Sequence, residues 1–127
     1  MDSTRLQVAI VDDEDSVRKA IGRLLRAEEM GVETYSCGSD LLAVIETHAI
    51  DCILLDLHMP TLSGFEVLQR LAKMGNRVPV IVITGYDSPD AQTRVIADGA
   101  VAYLLKPVEQ QVLLDAIAKA IGSGEEH

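Results

Sequence analysis

The stretch Cys52-Ile53-Leu54-Leu55, with Asp56 directly after it, indicates the fold of this chain most clearly. A short aliphatic run without polar alternation is typical of a strand buried on both faces, as in a parallel sheet covered by helices on each side. Four other short runs of aliphatic or β-branched residues are predicted strands. They are Gln7–Val11, Val32–Tyr35, Val80–Thr84 and Ala102–Leu105.

Helical periodicity separates these strands. One stripe of apolar residues at helical spacing follows the first strand and another follows the last, with weaker stripes between them. The two clear stripes are Val17, Ala20, Ile21, Leu24, Leu25 and Leu113, Ala116, Ile117, Ala120, Ile121. Since parallel crossovers are right-handed and need covering helices, this alternation predicts an α/β fold with a doubly wound five-stranded parallel sheet and five helices.

Capping residues agree with this alternation. Ser88 and Pro89 predict the start of the fourth helix. Gly31, Gly75 and Gly99 each follow a helical stretch, where we expect a left-handed residue. We expect the folded domain to occupy residues 1–121 and residues 122–127 to form a flexible tail or the start of a linker.

Composition limits the class of protein. The chain has 127 residues, 48% of them apolar and 24% charged, which fits one globular domain. Its net charge of −9 repels phosphate backbones and anionic lipid, so we expect neither direct nucleic-acid binding nor membrane binding. Cys37 and Cys52 lack CxxC spacing, which favours two reduced, buried thiols in a cytoplasmic protein.

Polar residues follow four of the predicted strands, and parallel strands bring their carboxyl ends to one edge of the sheet. These residues are Asp12 and Asp13, Asp56, Thr84, and Lys106. Carboxylates crowded together repel one another unless a cation neutralises them, and oxygen ligands without clustered His or Cys favour Mg²⁺. A hydroxyl and an ammonium suit the oxygens of a phosphoryl group. The pattern therefore predicts an aspartyl-phosphate site with Asp as nucleophile.

Five motifs along nearly the whole chain resemble, in order and spacing, those of the response-regulator receiver domain of two-component signalling, which has a flavodoxin-like topology. They are Ile10-Val11-Asp12-Asp13-Glu14, Leu54 to Pro60, Ser63-Gly64-Phe65-Glu66, Ile83-Thr84-Gly85 and Leu105-Lys106-Pro107. The stretch from Ile83 to Pro107 further resembles receivers that precede a LuxR-type DNA-binding domain.

The resemblance assigns a role to each acid of the site. It implies that Asp56 is the phosphoacceptor. It also implies that Asp12, Asp13, Asp56 and the backbone carbonyl of His58 hold Mg²⁺.

Residues after the fourth strand and at the end of the fifth receive roles in the same way. The resemblance implies that Thr84 and Lys106 bind the phosphoryl oxygens, that Tyr103 is an aromatic switch residue, and that the peptide bond before Pro107 is cis.

Three positions around the phosphoacceptor are expected to tune the phosphorylated lifetime. His58 and Tyr86 each lie two residues after a site residue, where the family's side chains flank the approach of water. Gly85 leaves room for a phosphoryl group. We hypothesise that the bulky Tyr86 side chain shields the acyl phosphate from hydrolysis.

The resemblance implies a regulatory switch rather than an enzyme. A sensor histidine kinase or a small acyl phosphate is expected to phosphorylate Asp56. Phosphorylation is then expected to change the surface formed by the fourth helix, the last strand and the last helix. This surface is expected to control an effector domain that regulates transcription, and to form a homodimer on phosphorylation. Alternatively, the chain is a stand-alone receiver that acts on a partner protein.

Two other classes share parts of this pattern. A haloacid-dehalogenase-like phosphatase also uses Asp and Mg²⁺, but it needs a second acid two residues after the nucleophile, where this chain has His58. A flavodoxin needs a phosphate-binding loop rich in hydroxyls and glycine after the first strand, where this chain has Asp12-Asp13-Glu14.

Overall fold

The computed structural model describes residues 5–125. Within that range the strands form one parallel sheet in the order β2-β1-β3-β4-β5. Their bounds are β1 Gln7–Val11, β2 Gly31–Tyr35, β3 Cys52–Asp56, β4 Val80–Thr84 and β5 Ala102–Leu105. This confirms the predicted doubly wound sheet.

Five helices connect the strands in the described part of the chain. They are α1 Asp15–Ala27, α2 Gly38–Val44, α3 Gly64–Lys73, α4 Pro89–Ala97 and α5 Gln110–Glu125. Each helix except the last returns the chain from one strand to the next, as right-handed crossovers require.

Two hydrophobic clusters lie on opposite faces of the sheet. Ile53 and Leu55 of β3 face the cluster covered by α2, α3 and α4, whereas Cys52 and Leu54 face the cluster covered by α1 and α5. All five residues of β3 are buried because helices cover both faces. This explains why the strand shows no polar alternation.

Helix ends agree with the predicted caps except after α1. Ser88 caps α4, and Gly75 and Gly99 have φ angles of +72° and +112°. The expectation for Gly31 was wrong, because Gly31 begins β2. The left-handed residue is Glu29, with φ +66°. Helix α1 ends at Ala27, so the turn that follows it is made two residues before Gly31.

The last helix is longer than expected. α5 continues through residues 122–125, where we expected a flexible tail, and the remaining two residues lie outside the described range. A glycine costs about 1 kcal/mol relative to alanine inside a helix, which an established helix can tolerate near its end. Of the two thiols, Cys52 is buried as expected, but Cys37 is only half-buried.

Candidate functional site

The site lies at the carboxyl edge of the sheet, beside the point where the strand order reverses between β1 and β3. Asp12 follows β1 and Asp56 ends β3, and their exposed fractions are only 3% and 4%. Asp13 is exposed. One carboxylate oxygen from each of the three residues lies within 4.8 Å of the others. The predicted convergence of these acids is therefore observed.

Lys106, the residue after β5, reaches this acidic cluster. Its ammonium Nζ lies 2.8 Å from Oδ2 of Asp12, 3.3 Å from Oε1 of Glu14 and 3.7 Å from Oδ1 of Asp56. Its backbone N–H donates to the carbonyl of Thr84, at 2.8 Å, which joins the ends of β5 and β4. The peptide bond between Lys106 and Pro107 is cis, as the resemblance implied.

Asp12 is held in place by its neighbours. Its backbone N–H donates to the carbonyl of Tyr35 at 3.1 Å, and its own carbonyl accepts from the Arg18 guanidinium at 2.7 Å. Its Oδ1 accepts from the backbone N–H of Glu14 at 2.9 Å. Since three other residues fix Asp12, a bound cation would meet an already positioned ligand.

Burial and mutual repulsion oppose the ionisation of both buried carboxyl groups, Asp12 and Asp56, at the same time. Burial, followed by the negative charge of Asp12, raises the pKa of Asp56 from 3.8 to about 6, although Lys106 acts in the opposite direction. Burial alone lowers the pKa of Lys106, but its hydrogen bond to Asp12 and the charge of Asp56 outweigh that effect and raise it. The site therefore favours any further positive charge.

These residues fit a hard divalent cation. The three converging groups offer carboxylate oxygens only, and the described residues around them add no clustered imidazole or thiolate. Such an oxygen donor set is typical of Mg²⁺ sites, in which waters or substrate oxygens complete the coordination.

A cleft of about 300 Å³ opens above the cluster and is bounded on one side by two aromatic rings. The rings of His58 and Tyr86 are 5.4 Å apart and nearly perpendicular, at 80°. Tyr86 is 72% exposed. A Cβ atom at Gly85 would have no neighbour within 4 Å, so a side chain there could crowd only a group added to the cleft.

Thr84 is placed differently from the acids. This residue is fully buried, and its Oγ1 accepts from the backbone N–H of Tyr86 at 3.1 Å, so it does not line the cleft. The Tyr103 hydroxyl accepts from the backbone N–H of Ser88 and donates to the carbonyl of Tyr86, each at 3.2 Å. Two hydroxyl groups thus hold the loop between β4 and α4.

Glu14 is the site residue whose contact sequence reasoning missed. The sequence motif after β1 includes Glu14 without a role, but the Glu14 carboxylate lies beside Lys106 and lines the cleft. The signal was its position next to Asp13, yet sequence spacing does not say toward which strand end a side chain turns.

A lysine beside three acids at the switch point of a doubly wound sheet is the arrangement that the resemblance to receiver domains implies. The chain belongs to the response regulator receiver domain family of two-component signalling, whose family profile matches residues 8–118. Response regulator protein TodT of Pseudomonas putida F1 is 33% identical over 114 residues, which cover 90% of this chain and 50% of TodT. Transcriptional regulatory protein FixJ of Rhizobium meliloti is 33% identical over 117 residues, which cover 92% of this chain and 57% of FixJ.

Solved structures agree with this assignment. A CheY-like receiver domain protein from Methanospirillum hungatei superposes with a TM-score of 0.89 at 29% identity, over 95% of this chain and 97% of that one. FixJ-N gives a TM-score of 0.86 at 32% identity, over 92% of this chain and 94% of FixJ-N.

The chain spans about half the length of the curated relatives it matches. Among the described residues, no helix has the length and apolar character needed to cross a bilayer.

Proposed function

We propose that this chain is a Mg²⁺-dependent phosphorylation switch in which Asp56 receives a phosphoryl group from a sensor histidine kinase or a small acyl phosphate. One observation carries the proposal: the Asp56 carboxylate is buried within 3.7 Å of the Lys106 ammonium and shares a cation-sized cluster with Asp12 and Asp13.

The transfer exchanges one phosphorus bond for another. A carboxylate oxygen of Asp56 attacks the donor phosphorus as the bond from phosphorus to the leaving atom breaks. The imidazole nitrogen of the kinase, or a carboxylate oxygen of the small acyl phosphate, leaves with the electron pair. Asp12, Asp13, Asp56 and the backbone carbonyl of His58 would hold Mg²⁺, and the bound ion would neutralise charge on the transferred oxygens. Lys106 donates to one of those oxygens.

The switch begins at Thr84. When its hydroxyl turns toward a phosphoryl oxygen, the N–H of Tyr86 loses its acceptor, and the loop before α4 loses one of its two anchors. Tyr103, whose hydroxyl is the other anchor, then moves toward the space that Thr84 leaves. The surface formed by α4, β5 and α5 changes as a result.

Contacts of Thr84 and Lys106 with the phosphoryl oxygens supply most of the free energy that a two-state switch needs. Turning a 1:99 equilibrium into 99:1 needs about 5.5 kcal/mol, and each charge-assisted hydrogen bond contributes about 1.5–3 kcal/mol.

α4 is a suitable moving element because Val95 is its one buried residue. Another contact that holds α4 is the stacking of Arg94 on Phe65, with Cζ 4.2 Å from the ring centroid.

The relatives support a proposal for the output of the switch. Since FixJ is a transcriptional regulatory protein and is longer than this chain, we propose that this chain acts as the receiver of a cytoplasmic transcription regulator. In this proposal a LuxR-type domain follows, and phosphorylation promotes a homodimer through α4, β5 and α5. The receiver assists its own phosphorylation and dephosphorylation without other enzymatic activity. The alternative, a stand-alone receiver acting on a partner protein, uses the same surface.

Residues at the cleft rim tune the phosphorylated lifetime in this proposal. The paired rings of His58 and Tyr86 restrict the approach of water to the acyl phosphate. Gly85 leaves the phosphoryl oxygens free of a side chain.

Intact-mass spectrometry after incubation with acetyl phosphate and MgCl₂ tests the phosphoacceptor role. We expect a gain of about 80 Da, one phosphoryl group, in the wild-type chain. Asp56→Asn or removal of Mg²⁺ abolishes the gain, whereas Asp90→Asn, which alters an exposed acid on α4, keeps it. A full mass gain in Asp56→Asn refutes the proposal.

A further inference from the structure

Gly64, the first residue of α3, packs directly against the backbone that carries the phosphoacceptor. It is buried, and its N–H donates to the carbonyl of Leu57 at 2.9 Å. The first turn of α3 therefore rests on the chain immediately after β3.

This contact leaves no room for a side chain. A Cβ atom at position 64 would lie 2.8 Å from Cα of Leu57 and 3.1 Å from the carbonyl carbon of Asp56, and closer still to the Asp56 carbonyl oxygen. All three are backbone atoms, so no rotamer change relieves the clash. Either α3 or the end of β3 must move.

Neighbouring elements restrict both movements. β3 is the central strand, and Asp56 is paired in register with Ile83 of β4. On the other side, α3 packs on α2 so closely that a Cβ at Gly38 would press on the side chain of Val67. The helix lies between two glycine contacts, one toward α2 and one toward Asp56.

We propose that Gly64 is a positioning residue for phosphoryl transfer. The missing Cβ lets α3 fix the backbone of Asp56, and so the distance of its carboxylate from Asp13 and Lys106. This inference rests on the proposed role of Asp56. Displacing a ligand's supporting contact typically weakens metal binding about 10–100-fold, and a 1 Å misplacement of a reacting group slows a reaction about 100-fold.

Gly64→Ala and Gly38→Ala form a matched pair, because each adds one methyl group at a tight contact of α3. Gly38→Ala presses on the side chain of Val67 and not on the backbone of Asp56. We expect both variants to lower the urea midpoint. Only Gly64→Ala should weaken Mg²⁺ binding in calorimetry by about tenfold or more, and only it should slow phosphorylation by acetyl phosphate at saturating Mg²⁺.

A folded Gly64→Ala chain with wild-type Mg²⁺ affinity and phosphorylation rate overturns the inference. If that variant does not fold, NMR of the wild-type chain decides: Mg²⁺ should shift the backbone amide of Gly64 at the same concentration as that of His58, without shifting Gly38. An unmoved Gly64 amide also overturns it. Failure of the wild-type chain to gain a phosphoryl group would instead refute the proposed function.

Discussion

The Lys106 ammonium lies 2.8 Å from the Asp12 carboxylate, although β3 and β4 separate their strands in the sheet. This ion pair thus joins the segments that follow β1 and β5. A cation bound by Asp12 would compete with this ion pair, and the released ammonium would then be available to a phosphoryl oxygen. We therefore expect metal binding and phosphoryl binding to be coupled through the Lys106 side chain.

Lys106→Met should separate those two steps. Loss of an electrostatic donor aimed at the transferred group costs about 10²–10³-fold in rate, so phosphorylation by acetyl phosphate should slow by that factor. Mg²⁺ affinity should stay the same or rise, since Asp12 loses a competing partner. Stopped-time mass spectrometry and calorimetry measure the two quantities. Lys119→Met on α5 is the control, and an unchanged phosphorylation rate in Lys106→Met contradicts the assigned role.

The raised pKa of Asp56 predicts how stability depends on pH without divalent cations. The pKa is about 6 in the folded chain and 3.8 ordinarily, so the folded state binds the proton more tightly. The resulting stabilisation is complete below about pH 4 and is lost as pH rises through 6, by on the order of 3 kcal/mol. Urea unfolding in a chelator, from pH 4 to 8, measures this loss.

Two comparisons isolate that effect. Asp56→Asn removes the titrating group. From pH 4 to 8 the free energy of unfolding of this variant should therefore fall less than that of the wild-type chain. Mg²⁺ should restore wild-type stability above pH 6 because it favours the ionised carboxylates. Parallel pH profiles for the wild-type and variant chains would show that Asp56 does not titrate in this way.

Tyr86→Ala should shorten the lifetime of the phosphorylated state. The Tyr86 ring forms one side of the cleft with His58, and its removal opens a path for water. Dephosphorylation half-life after removal of the donor is the measurement. Tyr86→Phe keeps the ring and should keep the half-life, and an unchanged half-life in Tyr86→Ala rules out shielding.

Tyr103→Phe should loosen the loop before α4. The variant loses the acceptor of the Ser88 N–H and the donor to the Tyr86 carbonyl, which amounts to about 1 kcal/mol of local stability. Amide hydrogen exchange at Ser88 should accelerate. Tyr35→Phe also removes a hydroxyl, one bonded to Glu33 far from this loop, and should leave Ser88 unaffected. Equal exchange at Ser88 in all three chains contradicts the anchoring role.

Strand polarity explains how far the sequence alone could lead. Once aliphatic runs such as the one before Asp56 are recognised as parallel strands, the residues after them must meet at one edge, so the grouping of Asp12, Asp13, Asp56 and Lys106 was predictable. The side-chain rotamers and the contacts between residues distant in sequence were not predictable. Neither the turn of Glu14 toward Lys106 nor the bond from Tyr86 N–H to Thr84 follows from spacing.

Helix ends show the same limit in the backbone. Glycine is the usual left-handed residue after a helix, and this rule correctly identified Gly75 and Gly99. After α1 it failed, because closure of the last turn by the Met30 N–H on the Leu25 carbonyl places Glu29 at the left-handed position. Gly31 is already paired with Gln7 of β1, so it belongs to the strand and not to the end of the helix.

The most direct test of the account identifies the residue that carries phosphorus. Borohydride reduction of the phosphorylated chain, followed by tryptic peptide sequencing, marks the acyl phosphate. Cleavage after Arg18 and Arg26 places Asp12 and Asp13 on a different peptide from Asp56. We expect reduction at Asp56 alone, and reduction at Asp12 or Asp13, or at no aspartate, would contradict the account.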